Sequence, residues 1–278
     1  DFTPVNEMLG FSVMLILSSL INSIKGNFFS LILGRHYTTQ EVGYYYQGDK
    51  WSKMIRTFTT GMASTVCQPI FSTVNDSPDR QLAIFRKMNR FIAIVACPSL
   101  MGLAYIARDF ISLLNPEFLP AVPILQICSA MGIANALSLS LTQVLVSKGK
   151  SKDYLLLTFI GAVLEIVAAL ATYRFGIYKM AAAIAIVAFL EYFMWYAACS
   201  RHLKITLTDL IKDIVPYFTA TSIAIGISYL MTMAVTNTLL LLILKMAITG
   251  ALYYVILRIC KSSILGEAIE LIKKRLGV

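Results

Sequence analysis

Three cations stand where an apolar chain tolerates charge least. Between Phe11 and Leu33 the residues are mostly hydrophobic, yet Ser18, Asn22 and Lys25 fall on one side at helical spacing. From Trp51 to Asn75, Lys53, Arg56, Thr57, Thr60, Ser64 and Gln68 form one stripe, while Ile55, Phe58, Met62 and Ile70 face elsewhere. A charge near the bilayer centre costs at least ~2.5 to 3.5 kcal/mol, so such a cation faces a wet cavity or a partner. Lysine offers a compact point charge, arginine a planar fork, and the flanking hydroxyls and amides offer hydrogen bonds. The chemistry this set supports is capture of an anion inside a membrane.

Two acids and a further lysine lie within later apolar runs. Glu165 and Glu191 are each either a carrier of a proton or a sodium ion, or one side of an interhelical hydrogen bond. Lys245 carries the weaker case for function. Catalysis has no constellation behind it. His36, Asp49, Asp109 and Glu117 are scattered over short connections, without paired carboxylates, metal-ligand spacing or a phosphate-cradling glycine loop, so the chain is expected to be no enzyme and to need no cofactor.

The elements that position these residues are transmembrane helices. Hydrophobic residues make up 58% of the 278 and charged residues 14%, against roughly 45 to 50% and about 25% in soluble domains. A spanning helix takes about 20 mostly apolar residues. Eight such windows occur: Gly10 to Leu33, Trp51 to Thr73, Phe91 to Ala107, Leu119 to Val146, Tyr154 to Tyr173, Met180 to Ser200, Ile214 to Val235 and Thr238 to Leu257. They are Leu/Ile/Ala-rich and lack the period of two that barrel strands carry.

The net charge of +9 follows topology and does not form a nucleic-acid patch. Fifteen cations lie in the connections after the second, fourth and sixth spans and in the tail, including Arg86, Lys148, Lys204 and Lys273. Arg35, Lys50, Arg108, Arg174 and Lys179 are the five on the other side. Positive-inside bias then puts both termini in the cytoplasm.

Between spans, Asn75 to Asp79 starts a helix with Pro78 in its first turn, and the amphipathic run Gln81 to Arg90 is expected to lie on the membrane surface. The tail from Ser263 to Leu276 reads as either a second interfacial helix or a plain solvated anchor helix. Cys67, Cys97, Cys128, Cys199 and Cys260 occur singly, as packing residues. Pro69, Pro98 and Pro216 lie in or beside spans, where they are positioned to kink helices. Asp1 to Leu9 is a short polar lead-in, and the chain reads as the C-terminal portion of a longer protein.

A family resemblance rests on several short motifs in order. Gly34-Arg35, Glu41 and Gly43-Tyr44-Tyr45 resemble the connection after the first helix of the second lobe in bacterial lipopolysaccharide and capsule flippases of the polysaccharide transporter family. Pro69-Ile70-Phe71-Ser72 with Asn75-Asp76 is similar to that family's Pro-x-x-Ser and acidic loop, and Asp79 to Arg90 to its basic helix. Cys97-Pro98-Ser99 to Leu103 resembles its third helix, and Phe118 to Leu125, with Pro120 and Pro123, the start of its fourth. Asn115-Pro116-Glu117-Phe118 departs from a stretch where Gly and Trp are common. The likeness covers residues 10–150 and is only hydropathic beyond.

The resemblance implies an all-α integral membrane fold. It consists of one six-helix lobe of the superfamily that includes multidrug (MATE-like) and oligosaccharidyl-lipid exporters, plus two extra C-terminal helices. The parts would be a lead-in at 1–9, the lobe at 10–200, the extra pair at 201–257 and a cytoplasmic tail at 258–278. It further implies transport of undecaprenyl-diphosphate-linked oligosaccharide across the bacterial inner membrane for lipopolysaccharide, capsule or exopolysaccharide synthesis, alongside polysaccharide polymerase machinery. Lys25 and Arg56 would engage the diphosphate, with Lys53 either joining them or snorkelling to the interface. Asn22, Thr60, Ser64 and Gln68 would line the sugar path. Three rivals remain open: a small-molecule exporter, a membrane glycosyltransferase or ligase, and an assembly scaffold.

Overall fold

The computed structural model describes residues 3–72, 78–260 and 266, with side chains described over 9–61 and 79–260. Eight α-helices run through the described residues: α1 (Thr3–His36), α2 (Thr39–Ser72), α3 (Pro78–Leu114), α4 (Val122–Ser147), α5 (Ser151–Thr172), α6 (Ile177–Ser200), α7 (Leu207–Thr232) and α8 (Thr238–Ile259). Seven of them contain stretches long and apolar enough to cross a membrane. The exception is α2, whose run of Asp49, Lys50, Lys53 and Arg56 keeps its hydropathy low. The all-α membrane fold expected from hydropathy is therefore present. Ser64, Gln68 and Cys67, the segment 73–77 and the tail beyond 260 carry expectations that lie outside the described residues or side chains.

The helices run past the spans read in the sequence, most of all at the starts of α2 and α3. The second span was expected to begin at Trp51, but α2 begins at Thr39 and takes in Gly43-Tyr44-Tyr45 and Asp49. Its start is a reciprocal cap: the Thr38 N–H donates to Glu41 Oε2 at 2.9 Å, and the Glu41 N–H donates to Thr38 Oγ1 at 3.3 Å. The surface helix expected at Gln81 to Arg90 is the first part of α3, continuous with the third span. Phe85, Met88, Ile92 and Ala96 recur at helical spacing and are all buried, so this face meets other helices. Its polar side meets α7, where Arg86 Nε and Arg90 Nε donate to the buried carboxylate of Asp213, and Arg86 Nη1 lies 3.1 Å from Asp209.

Pro98 lies inside α3 without ending it. A proline has no N–H for the carbonyl four residues back, here Ile94. Tyr253 of α8 fills that vacancy, its Oη donating to the Ile94 carbonyl at 2.9 Å. Lipid offers no other donor, so such a substitution by a neighbouring helix is what makes the proline tolerable there.

α4 forms the centre, packed on α2, α3 and α6, while α1 leans on α5, α5 on α6, and the α7–α8 hairpin on α3. Because lipid is as apolar as the helix faces, close packing and interhelical hydrogen bonds hold such bundles. Gly48 is one such point: a Cβ there would stand 2.9 Å from the Leu125 backbone nitrogen, so only glycine lets α2 sit this close to α4. Four residues on, Ser52 Oγ donates to the Cys128 carbonyl at 2.8 Å across the same contact. Cys97, Cys128 and Cys199 are buried free thiols in these interfaces.

Candidate functional site

With α1 braced on α5 and α2 braced on α4, the first two helices diverge and barely touch. The gap between them is a cavity of about 510 Å³. Asn22 and Lys25 reach it from α1, and Tyr45, Asp49, Lys53 and Arg56 reach it from α2. Asn135 of α4 and Glu165 of α5 face it from behind. The spacing on α2 explains the convergence, since positions 45, 49, 53 and 56 repeat at three or four residues and share a face.

The cations in this cavity are already partnered. Lys25 Nζ donates to Glu165 Oε1 at 2.9 Å, and Arg56 Nη2 lies 3.7 Å from Asp49 Oδ1. All four side chains keep between 19% and 24% of their surface exposed, so these are wet pairs of modest strength, in the range of ~1 kcal/mol or less. Lys53 is exposed and forms no ion pair among the described residues. Three cations thus face two carboxylates, and the surplus favours an anionic guest. An incoming group with two negative charges is able to replace both carboxylates, drawing on the fork of Arg56 and the point charge of Lys25.

Glu191 of α6 stands behind this set, beside Glu165 and within the field of Lys25. Its Oε1 is buried with no hydrogen-bond partner. The room for it comes from Gly161 of α5, where a Cβ would fall 2.6 Å from that oxygen. Lys25, Glu165 and Glu191 therefore form one chain of titratable groups running from the cavity into the α5–α6 interface.

Among residues singled out in the sequence, Asn22, Lys25, Lys53, Arg56 and Glu165 converge on the cavity and Glu191 adjoins it. Thr60 does not line it; its hydroxyl donates back to the Arg56 and Thr57 carbonyls at 2.9 and 3.2 Å. Ser18 likewise is buried and donates to the Met14 carbonyl at 2.9 Å. Ser64 and Gln68 lie outside the described side chains. Asp49, read as a loop acid, is instead the counter-ion of Arg56 on the same helix. Its signal was available, because an acid four residues before Lys53 and seven before Arg56 shares their face. Tyr45 and Asn135 had no signal in their own segments.

A second intramembrane pair joins α8 to α3. Lys245 Nζ donates to Asp109 Oδ2 and sits 4.9 Å from the centre of the Tyr105 ring. Asp109 was read as a scattered loop acid, but α3 carries it. His36, also assigned to a loop, ends α1 and packs on the Tyr173 ring at 4.3 Å.

Residues 1–123 match the family model described as polysaccharide biosynthesis protein. The chain is 24% identical over 152 residues to the teichuronic acid biosynthesis protein TuaB of Bacillus subtilis, covering 54% of this chain and 32% of that protein. It is 27% identical over 147 residues to an uncharacterized membrane protein in the cps region of Klebsiella pneumoniae, covering 52% of this chain and 30% of that one. The chain thus spans about a third of the length of the curated relatives it matches. Among solved structures, the lipid II flippase MurJ in an inward closed conformation superposes with a TM-score of 0.73 over 95% of this chain and 56% of that chain, at 13% identity. These matches bear out the resemblance read from residues 10–150, and the structural match shows a likeness of fold over 95% of this chain.

Proposed function

We propose that this chain forms one lobe of a transporter that flips an undecaprenyl-diphosphate-linked oligosaccharide across the bacterial inner membrane, with both ends of the described segment toward the cytoplasm. The observation that carries the reading is the convergence of Lys25, Lys53 and Arg56 on one intramembrane cavity. The diphosphate takes the place of Glu165 on Lys25 and of Asp49 on Arg56, while Asn22 and Asn135 offer hydrogen bonds to the first sugar. No bond is made or broken, so the role is transport and not catalysis. Use of the product by a polymerase machinery follows from the same reading.

Coupling belongs to the same proposal. When the diphosphate draws Lys25 away, Glu165 and Glu191 are left facing each other without their cation, in position to receive a proton or a sodium ion. The groups around this pair are Lys25 on α1, Tyr45, Asp49 and Arg56 on α2, and the two glutamates on α5 and α6. Substrate loading is then coupled to uptake of a proton or a sodium ion at this pair. Movement of this lobe against a second one would complete alternating access.

A second reading, export of a small organic cation, draws on Asp49 and Glu165 facing the same cavity. One experiment separates the two. The full-length protein in proteoliposomes is given a fluorescent undecaprenyl-diphosphate oligosaccharide, as wild type and as a Lys25→Ala/Arg56→Ala double variant. The expected result is flipping by wild type and none by a folded double variant. Flipping that survives the double substitution would remove the site, and a wild type that moves organic cations but not the lipid would favour the exporter.

A further inference from the structure

At the end of the bundle where α7 begins, a groove of about 340 Å³ runs between α7 and α8 against α3, separate from the cavity of α1 and α2. Arg90 and Lys212 stand at its mouth, and Ile223, Ile256 and Leu257 wall it. Lys212 and Ile223 lie on one helix about three turns apart, or about 16 Å. That is close to half of the roughly 30 Å hydrocarbon thickness of a bilayer. The groove is therefore one leaflet deep, cationic at one end and apolar along its length.

Both cations have capacity left for a ligand. Arg90 donates its Nε to Asp213 and keeps 34% of its side chain exposed, and its terminal nitrogens have no partner among the described residues. Lys212 is exposed and forms no ion pair among the described residues. Around the mouth, Arg86, Arg90 and Lys212 face Asp209 and Asp213, which leaves one cation in excess. Pro216 also lines the groove and has no N–H to return to the Lys212 carbonyl, so a backbone acceptor lacking its helical donor lies beside the cations. In α3 the equivalent vacancy at Ile94 is filled by Tyr253; no described side chain donates to Lys212 in the same way.

We propose that this groove binds an anionic phospholipid, with its phosphate on Arg90 and Lys212 and one acyl chain between α7 and α8. A headgroup bearing hydroxyls, such as that of phosphatidylglycerol, also supplies the donor that the Lys212 carbonyl lacks. Basic pockets between transmembrane helices at headgroup depth are suited to such lipids. Because Asp213 ties the same two elements together, a bound lipid holds the α7–α8 hairpin against α3.

The test uses the full-length protein in nanodiscs of phosphatidylcholine alone or with phosphatidylglycerol and undecaprenyl phosphate, with native mass spectrometry counting the lipids that stay bound. The expected result is retention of phosphatidylglycerol over phosphatidylcholine, with Lys212→Ala weakening it about five-fold, the contribution of one cation near an anionic lipid. Ile223→Trp, which fills the apolar slot, should lower retention with the cations intact. Both positions are exposed and both variants should fold. Equal retention of the two phospholipids, an unchanged preference in Lys212→Ala, or undecaprenyl phosphate displacing phosphatidylglycerol would each overturn the proposal. The flipping assay reads the other cavity, so loss of lipid retention with flipping preserved leaves the proposed function standing.

Discussion

Glu165→Gln isolates the competition on which the proposed mechanism depends. In the resting cavity the Lys25 ammonium is 2.9 Å from Glu165 Oε1, and both side chains are about one quarter exposed. A diphosphate reaching Lys25 must break this pair, which costs up to ~1 kcal/mol for a partly hydrated ion pair. Glutamine keeps the shape and an acceptor oxygen but gives up the charge, so the variant should bind a diphosphate analogue up to about five-fold more tightly. Calorimetric titration of the nanodisc-held protein with undecaprenyl diphosphate reads the effect. A variant that binds more weakly than wild type would refute the exchange of carboxylate for phosphate on Lys25.

Three further outcomes test the scaffold around the site. Tyr253→Phe leaves the Ile94 carbonyl without a donor and should cost about 1 to 3 kcal/mol; in a Pro98→Ala background the helix supplies its own N–H, so the tyrosine change should cost much less there, as thermal unfolding of the four proteins would read. Asp213→Ala removes the buried acceptor shared by Arg86 and Arg90 and should destabilise by about 1 to 3 kcal/mol, with proteolysis reporting the α7–α8 hairpin loosening before the rest. Gly161→Ala brings a methyl 2.6 Å from Glu191 Oε1, so the glutamate must turn away; flipping should fall while diphosphate affinity, carried by Lys25 and Arg56, stays close to wild type.

How much of this was readable in the residues follows from the range of each interaction. Membrane class and helix number come from windows of about 20 residues, and the cation stripes come from a period of 3.6, so both were visible locally. Counter-ions are a different matter. Glu165 and Lys25 are 140 positions apart, and nothing local to either tells an ion carrier from the partner of a lysine. Arg86 and Arg90 present the same difficulty in reverse. An amphipathic stretch states that one face is polar, not whether that face meets headgroups or the carboxylates of another helix, and here Asp209 and Asp213 of α7 are what it meets. Asp49 shares the face of Lys53 and Arg56, yet a third effect separates it from them in the sequence. The charges that make the α2 face chemically useful also lower its hydropathy, so a window tuned to apolar length starts the helix at Trp51 and leaves outside it the acid that partners Arg56. The residues that make an intramembrane site are the ones that shorten its helix in a hydropathy profile, and a polar stretch leading into a span is therefore where such a site should be sought.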